Sequence, residues 1–272
     1  MDRKNFSDLN RLEEKYVVNK GQALVIKRIV EKYLEPSYLD DSTAFTFIKS
    51  TYFDSRDLAF YRNHLDQKDN RIKVRMRQYG PNGSWRADET YLEIKEKDEQ
   101  DTFKSRICLN KDTVRALKEG KEVRPTAELY EINKDLHTKR SFTDFVFRIN
   151  NLIRAYKLRP VVSISYKRFA YQKGKVRVTI DTNISYRSEN GMDMLQAVKL
   201  GDLIDWDTAK KYGDKYNPDK NAIVEIKYEK DSDKDDAPRW LEDMLTDLDL
   251  ESEKFSKYAW SMFKLLTKLL LY

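Results

Sequence analysis

Two patterns of polar and apolar positions organise the chain. Over residues 71–80 bases and apolar side chains alternate, with Arg71, Lys73, Arg75 and Arg77 set against Ile72, Val74 and Met76. Successive side chains of a β-strand point to opposite faces, so this stretch reads as a strand with one basic and one apolar face. A helix would scatter both sets. Related alternations recur along the chain. Residues 11–18 place Glu13 and Lys15 together. Residues 90–97 set Tyr91, Glu93, Lys95 and Lys97 against Leu92 and Ile94, and 102–109 set Lys104 and Arg106 against Phe103, Ile107 and Leu109. Tyr166 and Arg168 share a face within 161–171. Over 175–181, Lys175, Arg177, Thr179 and Asp181 oppose Val176, Val178 and Ile180. Over 222–229, Glu225, Lys227 and Glu229 oppose Val224, Ile226 and Tyr228. Residues 45–53 predict a further strand from their aromatic and β-branched content, and a shorter one runs through Ile184 and Tyr186.

The second pattern has helical spacing. Leu24, Ile29, Val30 and Tyr33 predict a helix over 21–34, capped by Asn19 and stopped by Pro36. A short helix is expected from Asp54 and Ser55 to Leu65. Residues 111–158 read as helices, with an apolar stripe through Phe142, Phe145, Val146, Ile149, Leu152, Ile153 and Tyr156. Two more helices close the chain, one after Pro238 and one over residues 254–272. Gly80 to Gly83 predicts a turn, 189–220 polar helix and loop, and 231–236 a solvated acidic loop. With no fixed-period repeat and no Gly/Ser linker, the expectation is one domain over 1–272 whose last helix packs on the sheet.

About eight strands are predicted, most with charge on one face only. Helices with apolar stripes need an apolar partner. If they cover the apolar face from outside, the charged face is left as a lumen. The fold class expected is therefore α+β, an eight-stranded antiparallel barrel with a charged interior and helices around it. Buried charge has to be compensated. Bases outnumber acids on these faces, and the whole chain has 52 Lys and Arg against 46 Asp and Glu. The missing counter-charge points to a polyanionic ligand.

Composition narrows the chemistry. Cys108 is the only cysteine, so no disulfide forms within one chain and a reducing, cytoplasmic setting is expected. No signal peptide is evident, and no run is long enough to span a bilayer. The two histidines, His64 and His137, cannot build a three-histidine metal site, and both read as surface residues. There is no glycine-rich phosphate loop, so phosphates would be held by side chains. RNA would call for bases interleaved with stacking aromatics, whereas the aromatics fall mostly on helix stripes; no nucleic-acid partner is expected. The apolar stretch 262–272 reads as a packed helix, with a peripheral membrane or partner contact as the alternative.

Certain pieces come in a fixed order: Glu13-x-Lys15, Arg75-x-Arg77-x-Tyr79-Gly80, Glu93-x-Lys95, Lys104-x-Arg106, Tyr166-Lys167-Arg168-x-Ala170, Val176 to Thr182, Glu225-x-Lys227 and Phe255-Ser256-Lys257-Tyr258. The set resembles the VTC domain, the catalytic domain of polyphosphate polymerases among the triphosphate tunnel metalloenzymes. That resemblance implies an eight-stranded tunnel gripping a triphosphate and a metal. It implies that Lys15, Arg75, Arg77, Lys95, Lys104, Arg168, Arg177 and Lys257 bind phosphate, with Lys257, Arg75, Arg77, Arg168 and Arg177 closest to catalysis. Glu225 matches the metal-binding carboxylate, Mn²⁺ or Mg²⁺ being the ion. Glu13 and Glu93 are further candidates, or else partners that orient Lys15 and Lys95.

The chemistry implied is transfer of the ATP γ-phosphate to a growing polyphosphate chain. Arginine forks and lysine charges suit phosphoryl transfer, which needs mainly positioning and charge stabilisation. A terminal phosphate is itself an anionic nucleophile, so no Ser, Cys or His nucleophile is required. The chain departs from tunnel hydrolases at Arg11, which stands where Glu-x-Glu-x-Lys would begin with a glutamate; this favours transfer over hydrolysis. Three readings stay open: the polymerase, a triphosphate or polyphosphate hydrolase, and a non-catalytic polyphosphate-binding module.

Overall fold

The computed structural model describes residues 11–37, 44–80, 90–98, 101–189, 216–229 and 237–270. The strands are β1 Arg11–Asn19, β2 Glu35–Pro36, β3 Thr46–Asp54, β4 Arg71–Gly80, β5 Thr90–Asp98, β6 Asp101–Cys108, β7 Arg159–Lys173, β8 Val176–Ser188 and β9 Asn221–Glu229. The helices are α1 Lys20–Tyr33, α2 Ala59–Leu65, α3 Lys111–Lys118, α4 Ala127–Glu131, α5 Lys139–Tyr156, α6 Arg239–Asp247 and α7 Lys257–Leu270. The sheet runs β1-β9-β8-β7-β3-β4-β5-β6, with β2 paired to β7 off this path. The ladders β1–β9, β8–β9, β3–β4, β4–β5 and β5–β6 are antiparallel. The architecture is α+β as expected, but the hydrogen-bonded path has two ends, β1 and β6, where a closed ring was expected.

The chain divides into two compact units. One holds β1, α1, β2, the later part of β7, the earlier part of β8, β9 and α6. Its core packs the apolar face of β1, β8 and β9 (Tyr16, Val18, Val176, Val178, Ile180, Val224, Ile226) against Ala23, Ile26 and Val30 of α1 and Leu241 and Met244 of α6. The other holds β3 to β6, the start of β7, α2 to α5 and α7. There Val74, Met76, Leu92, Ile94 and Ile107 meet Phe142, Phe145, Val146, Ile149 and Ile153, the stripe predicted for α5. In each unit alternation sends the apolar side chains under helices, which leaves the charged set on the opposite face of the strands.

Several boundaries moved. The short helix starts at Ala59, not at Asp54, because Asp54 ends β3 and its carboxylate accepts the helix's first amides, Phe60 and Tyr61, at 2.9 Å each. Leu58, in the left-handed region at φ 56°, turns the chain between them. The two strands expected at 175–181 and around Ile184 are one, β8; Asn183 at φ 53° interrupts the alternation without ending the strand, a conformation asparagine tolerates. Residues 111–158 resolve into three helices. His137 is not a plain surface residue: half-buried, it meets the Arg106 carbonyl through Nε2 at 2.7 Å. The turn through Pro81 and Gly83, most of 189–220 and the acidic run 231–236 lie outside the described residues.

Candidate functional site

The second unit carries the broader basic face. Strand register arranges its side chains in rows. Lys73 of β4 lies opposite Lys95 of β5, which lies opposite Lys104 of β6. The next row is Tyr52, Arg75, Glu93 and Arg106, and the one after is Ser50, Arg77, Tyr91 and Cys108. Arg71 faces Lys97 at the far end. On β4 to β6 this face bears Arg71, Lys73, Arg75, Arg77, Lys95, Lys97, Lys104 and Arg106, against the one acid Glu93. Like charges directly opposite one another destabilise a sheet unless an anion lies between or above them.

Glu93 is 1% exposed; its Oε1 lacks a hydrogen-bond partner among the described residues and is compensated by charge alone. Its Oε2 accepts from Arg75 Nε at 2.7 Å, and its Oε1 faces Lys104 Nζ at 3.2 Å. Burial alone would raise its carboxyl, but Arg75, Arg77 and Lys104 outweigh that and hold it well below the usual range. Lys104 shows the balance from the other side. Burial, together with Arg75 and Arg77, pushes its ammonium down despite Glu93. The arginines are gripped by their edges: Arg75 Nη1 donates to the Tyr52 hydroxyl at 3.2 Å, Arg77 Nε to Ser50 Oγ at 3.2 Å, and Arg106 lies 4.9 Å over the Tyr91 ring.

The start of α7 belongs to the same face. Ser256 caps the helix, its Oγ accepting from Ala259 N at 3.3 Å and from Lys73 Nζ at 3.2 Å. Lys257 is the first helical residue. Tyr258 stacks on Tyr52 at 4.8 Å and donates its hydroxyl to the buried Asp54. Burial works to raise the Tyr52 hydroxyl, but Arg75, Arg77 and Lys257 prevail and lower it. A base in the first turn meets the positive end of the helix dipole, so Lys257 sits in a field that favours an anion. Burial raises Asp54 to about 6, against the hydrogen bonds it accepts from Tyr258 and from the amides of Phe60, Ser55 and Tyr61.

The first unit carries a more balanced charged face. Register gives the rows Glu13–Lys227–Arg177 and Lys15–Glu225–Thr179, with Asp181 opposite Ile223. Glu13 meets Lys15 at 2.7 Å and Lys227 at 3.0 Å, and Glu225 meets Lys227 at 3.3 Å. Arg168 and the fully buried Asp181 form a bidentate pair at 2.6 and 2.7 Å. Burial disfavours the charged guanidinium, yet Asp181 outweighs it and keeps Arg168 firmly protonated. The Arg168 guanidinium also lies 5.5 Å from the centre of the Tyr166 ring.

The expected site residues thus fall into two groups. Arg75, Arg77, Lys95, Lys104 and Lys257 share the charged face of one unit; Lys15, Arg168, Arg177 and Glu225 share that of the other. Glu13 lies beside Glu225, where two carboxylates approach one cation, Lys227 Nζ. Glu93 orients Arg75 and Lys104. Among the described residues, no three His, Cys, Asp or Glu side chains gather as metal ligands. The Arg11 side chain lies outside the described residues. Sequence reading missed Tyr52 and Asp54, hidden in an apolar strand, and gave Tyr258 no role although it stands beside Lys257.

The chain is similar to proteins already known. The chain is 28% identical over 236 residues to vacuolar transporter chaperone complex subunit 4 of Trypanosoma cruzi, covering 78% of this chain and 27% of that protein. It is 24% identical over 275 residues to the subunit of the same name from Schizosaccharomyces pombe, covering 91% of this chain and 36% of that one. The chain therefore spans about a quarter to a third of the length of these relatives. A solved putative adenylate cyclase from Bacillus halodurans superposes with a TM-score of 0.49 and 10% identity, over 92% of this chain and 96% of its own. Residues 10–266 match the VTC domain, and the chain belongs to that family.

Proposed function

We propose that this domain is a metal-dependent polyphosphate polymerase, which transfers the γ-phosphoryl group of ATP to the end of a polyphosphate chain. Membership of the VTC domain family supports the reading. The observation that carries it is the row of Lys73, Lys95 and Lys104 across three adjacent strands, beside Arg75 and Arg77. Such a row suits a linear string of negative charges better than a single carboxylate. A terminal phosphate oxygen of the chain attacks the γ-phosphorus. The bond from that phosphorus to the β–γ bridging oxygen breaks, and ADP leaves. Arg75 and Arg77, held by Glu93, Tyr52 and Ser50, are positioned before substrate arrives, so their charge stabilises the transferring group without reorganisation.

Glu225 and Glu13 fit a divalent cation. Their oxygens already converge on Lys227 Nζ at 3.3 and 3.0 Å, and Mg²⁺ or Mn²⁺ needs only one or two carboxylates when phosphate oxygens and water fill the remaining positions. Bound there, the ion would neutralise phosphate charge. A cytoplasmic location and action alongside further subunits belong to the same proposal.

Incubation with ATP and Mn²⁺ or Mg²⁺, followed by product analysis, tests the reading. ADP and polymer are expected in step. Lys95→Ala and Lys104→Ala should each lower turnover, by roughly 10²-fold for the loss of one preorganised charge. ADP with orthophosphate and no polymer would make the protein a hydrolase. No ADP with either metal would make it a binding module.

A further inference from the structure

Lys257 opens α7, and the residue that follows it, Tyr258, ties that turn to the rest of its unit. Tyr258 is buried. Its ring stacks on Tyr52 of β3, with centroids 4.8 Å apart and planes at 19°, and meets the Tyr61 ring of α2 edge-on at 6.2 Å. Its hydroxyl donates to Asp54 Oδ2. Asp54 is itself held still. Fully buried at the end of β3, it accepts from the amides of Ser55, Phe60 and Tyr61 at 2.8, 2.9 and 2.9 Å. A stack alone lets a ring slide and turn in its own plane; the hydroxyl bond removes that freedom. Successive residues of a helix are joined by one planar peptide and rise only about 1.5 Å, so fixing Tyr258 fixes the backbone of Lys257. The same frame reaches the arginines. Tyr52 accepts from Arg75 Nη1 at 3.2 Å, and although burial raises its hydroxyl, Arg75, Arg77 and Lys257 together bring it down. Lys257 and the two arginines therefore act on one hydroxyl.

We propose that Tyr258, anchored on Asp54, is a positioning residue that holds Lys257 in place beside Arg75 for the transferring phosphoryl group. The inference rests on the polymerase reading above, with Lys257 as a phosphate contact, and adds to it what keeps that contact in place. Tyr258 and Asp54 are both buried and touch no substrate themselves. A lysine carries its charge on a flexible four-carbon stem, so the charge is placed only as well as the backbone beneath it. Phosphoryl transfer draws its rate mainly from positioning and preorganised charge, and a misplacement of about 1 Å can cost roughly 10²-fold. Binding of the anion depends less on Tyr258, because the row Lys73, Lys95 and Lys104 attracts it independently of α7.

Steady-state kinetics with ATP and Mn²⁺, on the parent, Tyr258→Phe, Lys257→Ala and the double variant, test this as a double-mutant cycle. Phenylalanine keeps the ring and its stack and removes only the hydroxyl. Loss of one hydrogen bond leaves a domain of ordinary stability folded, which far-UV circular dichroism at the assay temperature verifies. Tyr258→Phe should lower kcat about tenfold, with KM for ATP within about twofold of the parent. With Lys257→Ala already in place, the same change should lower kcat by less than about twofold, because the side chain it acts through is gone. An equal loss in both backgrounds overturns the inference, since a merely structural tyrosine would weaken both alike. So does unchanged kcat in Tyr258→Phe, or parental turnover in Lys257→Ala. If the parent itself makes no polymer, the polymerase reading falls and takes the inference with it. A parent that makes polymer, with equal losses in the two backgrounds, removes Tyr258 alone.

Discussion

Glu93 and Asp54 are both buried carboxylates, at 1% and 0% exposure, and their surroundings shift them in opposite directions. Three bases hold Glu93 well below its ordinary value of 4.5. Its stabilising contribution is thus complete above 4.5 and is lost as pH falls through the lower folded value. Glu93→Gln should cost about 3 kcal/mol at neutral pH, the scale for breaking a buried ion pair. The difference from the parent should shrink on acidification below 4.5, which denaturant melts at several pH values would read. A constant difference across that range would mean that Glu93 is not held ionised by Arg75 and Lys104. The sequence made the bases legible because each takes every second place in a strand. It left Arg75 and Lys104 unnamed as partners of Glu93, since pairing across strands depends on register and side-chain direction, which spacing along one strand cannot give.

At the scale of elements, the first turn of α7 is fixed by Tyr258, which stacks on Tyr52 and bonds Asp54. Asp54 titrates at about 6, above its ordinary 3.8, so folding favours its protonated form. Its contribution is full below 3.8 and declines as pH rises through about 6. Tyr258 donates to the ionised form, so Tyr258→Phe should cost about 1–3 kcal/mol above that pH and less below it. Thermal melts of parent and variant at pH 5 and pH 7.5 check this; an equal loss at both would show that stacking, and not the hydroxyl, anchors the helix. Most elements were legible in the pattern, down to Asn19 as the cap of α1, which accepts from Gln22 N at 2.8 Å. The exceptions have local causes. Asp54 reads as a helix cap because aspartate favours that place, but here it caps from the end of a strand. The alternation over 175–181 reads as a strand that ends at Asp181, but here β8 runs on through Asn183 at φ 53°.

For the molecule as a whole, the excess of bases on the face of β4 to β6 governs its behaviour toward anions. Triphosphate affinity should fall steeply as salt rises, and Lys95→Ala should flatten that dependence by removing one charge from the row. Salt-independent binding would mean that contacts other than these bases hold the ligand. The order of the strands has a different kind of consequence. β4, β5 and β6 are neighbours in sequence as well as in the sheet, whereas β1 pairs with β9, with Lys15 opposite Glu225. On a ribosome adding roughly 5–20 residues per second, the first strand therefore waits on the order of 10–40 s for its partner. During that interval its apolar side, with Tyr16 and Val18, has no β9 beside it. The meander of β4 to β6 can close much earlier, because short loops cost little entropy. Pulse-labelled hydrogen exchange during refolding should protect Val74, Leu92 and Ile107 before Tyr16 and Val224, and a nascent chain stopped before residue 221 should present β1 to chaperones.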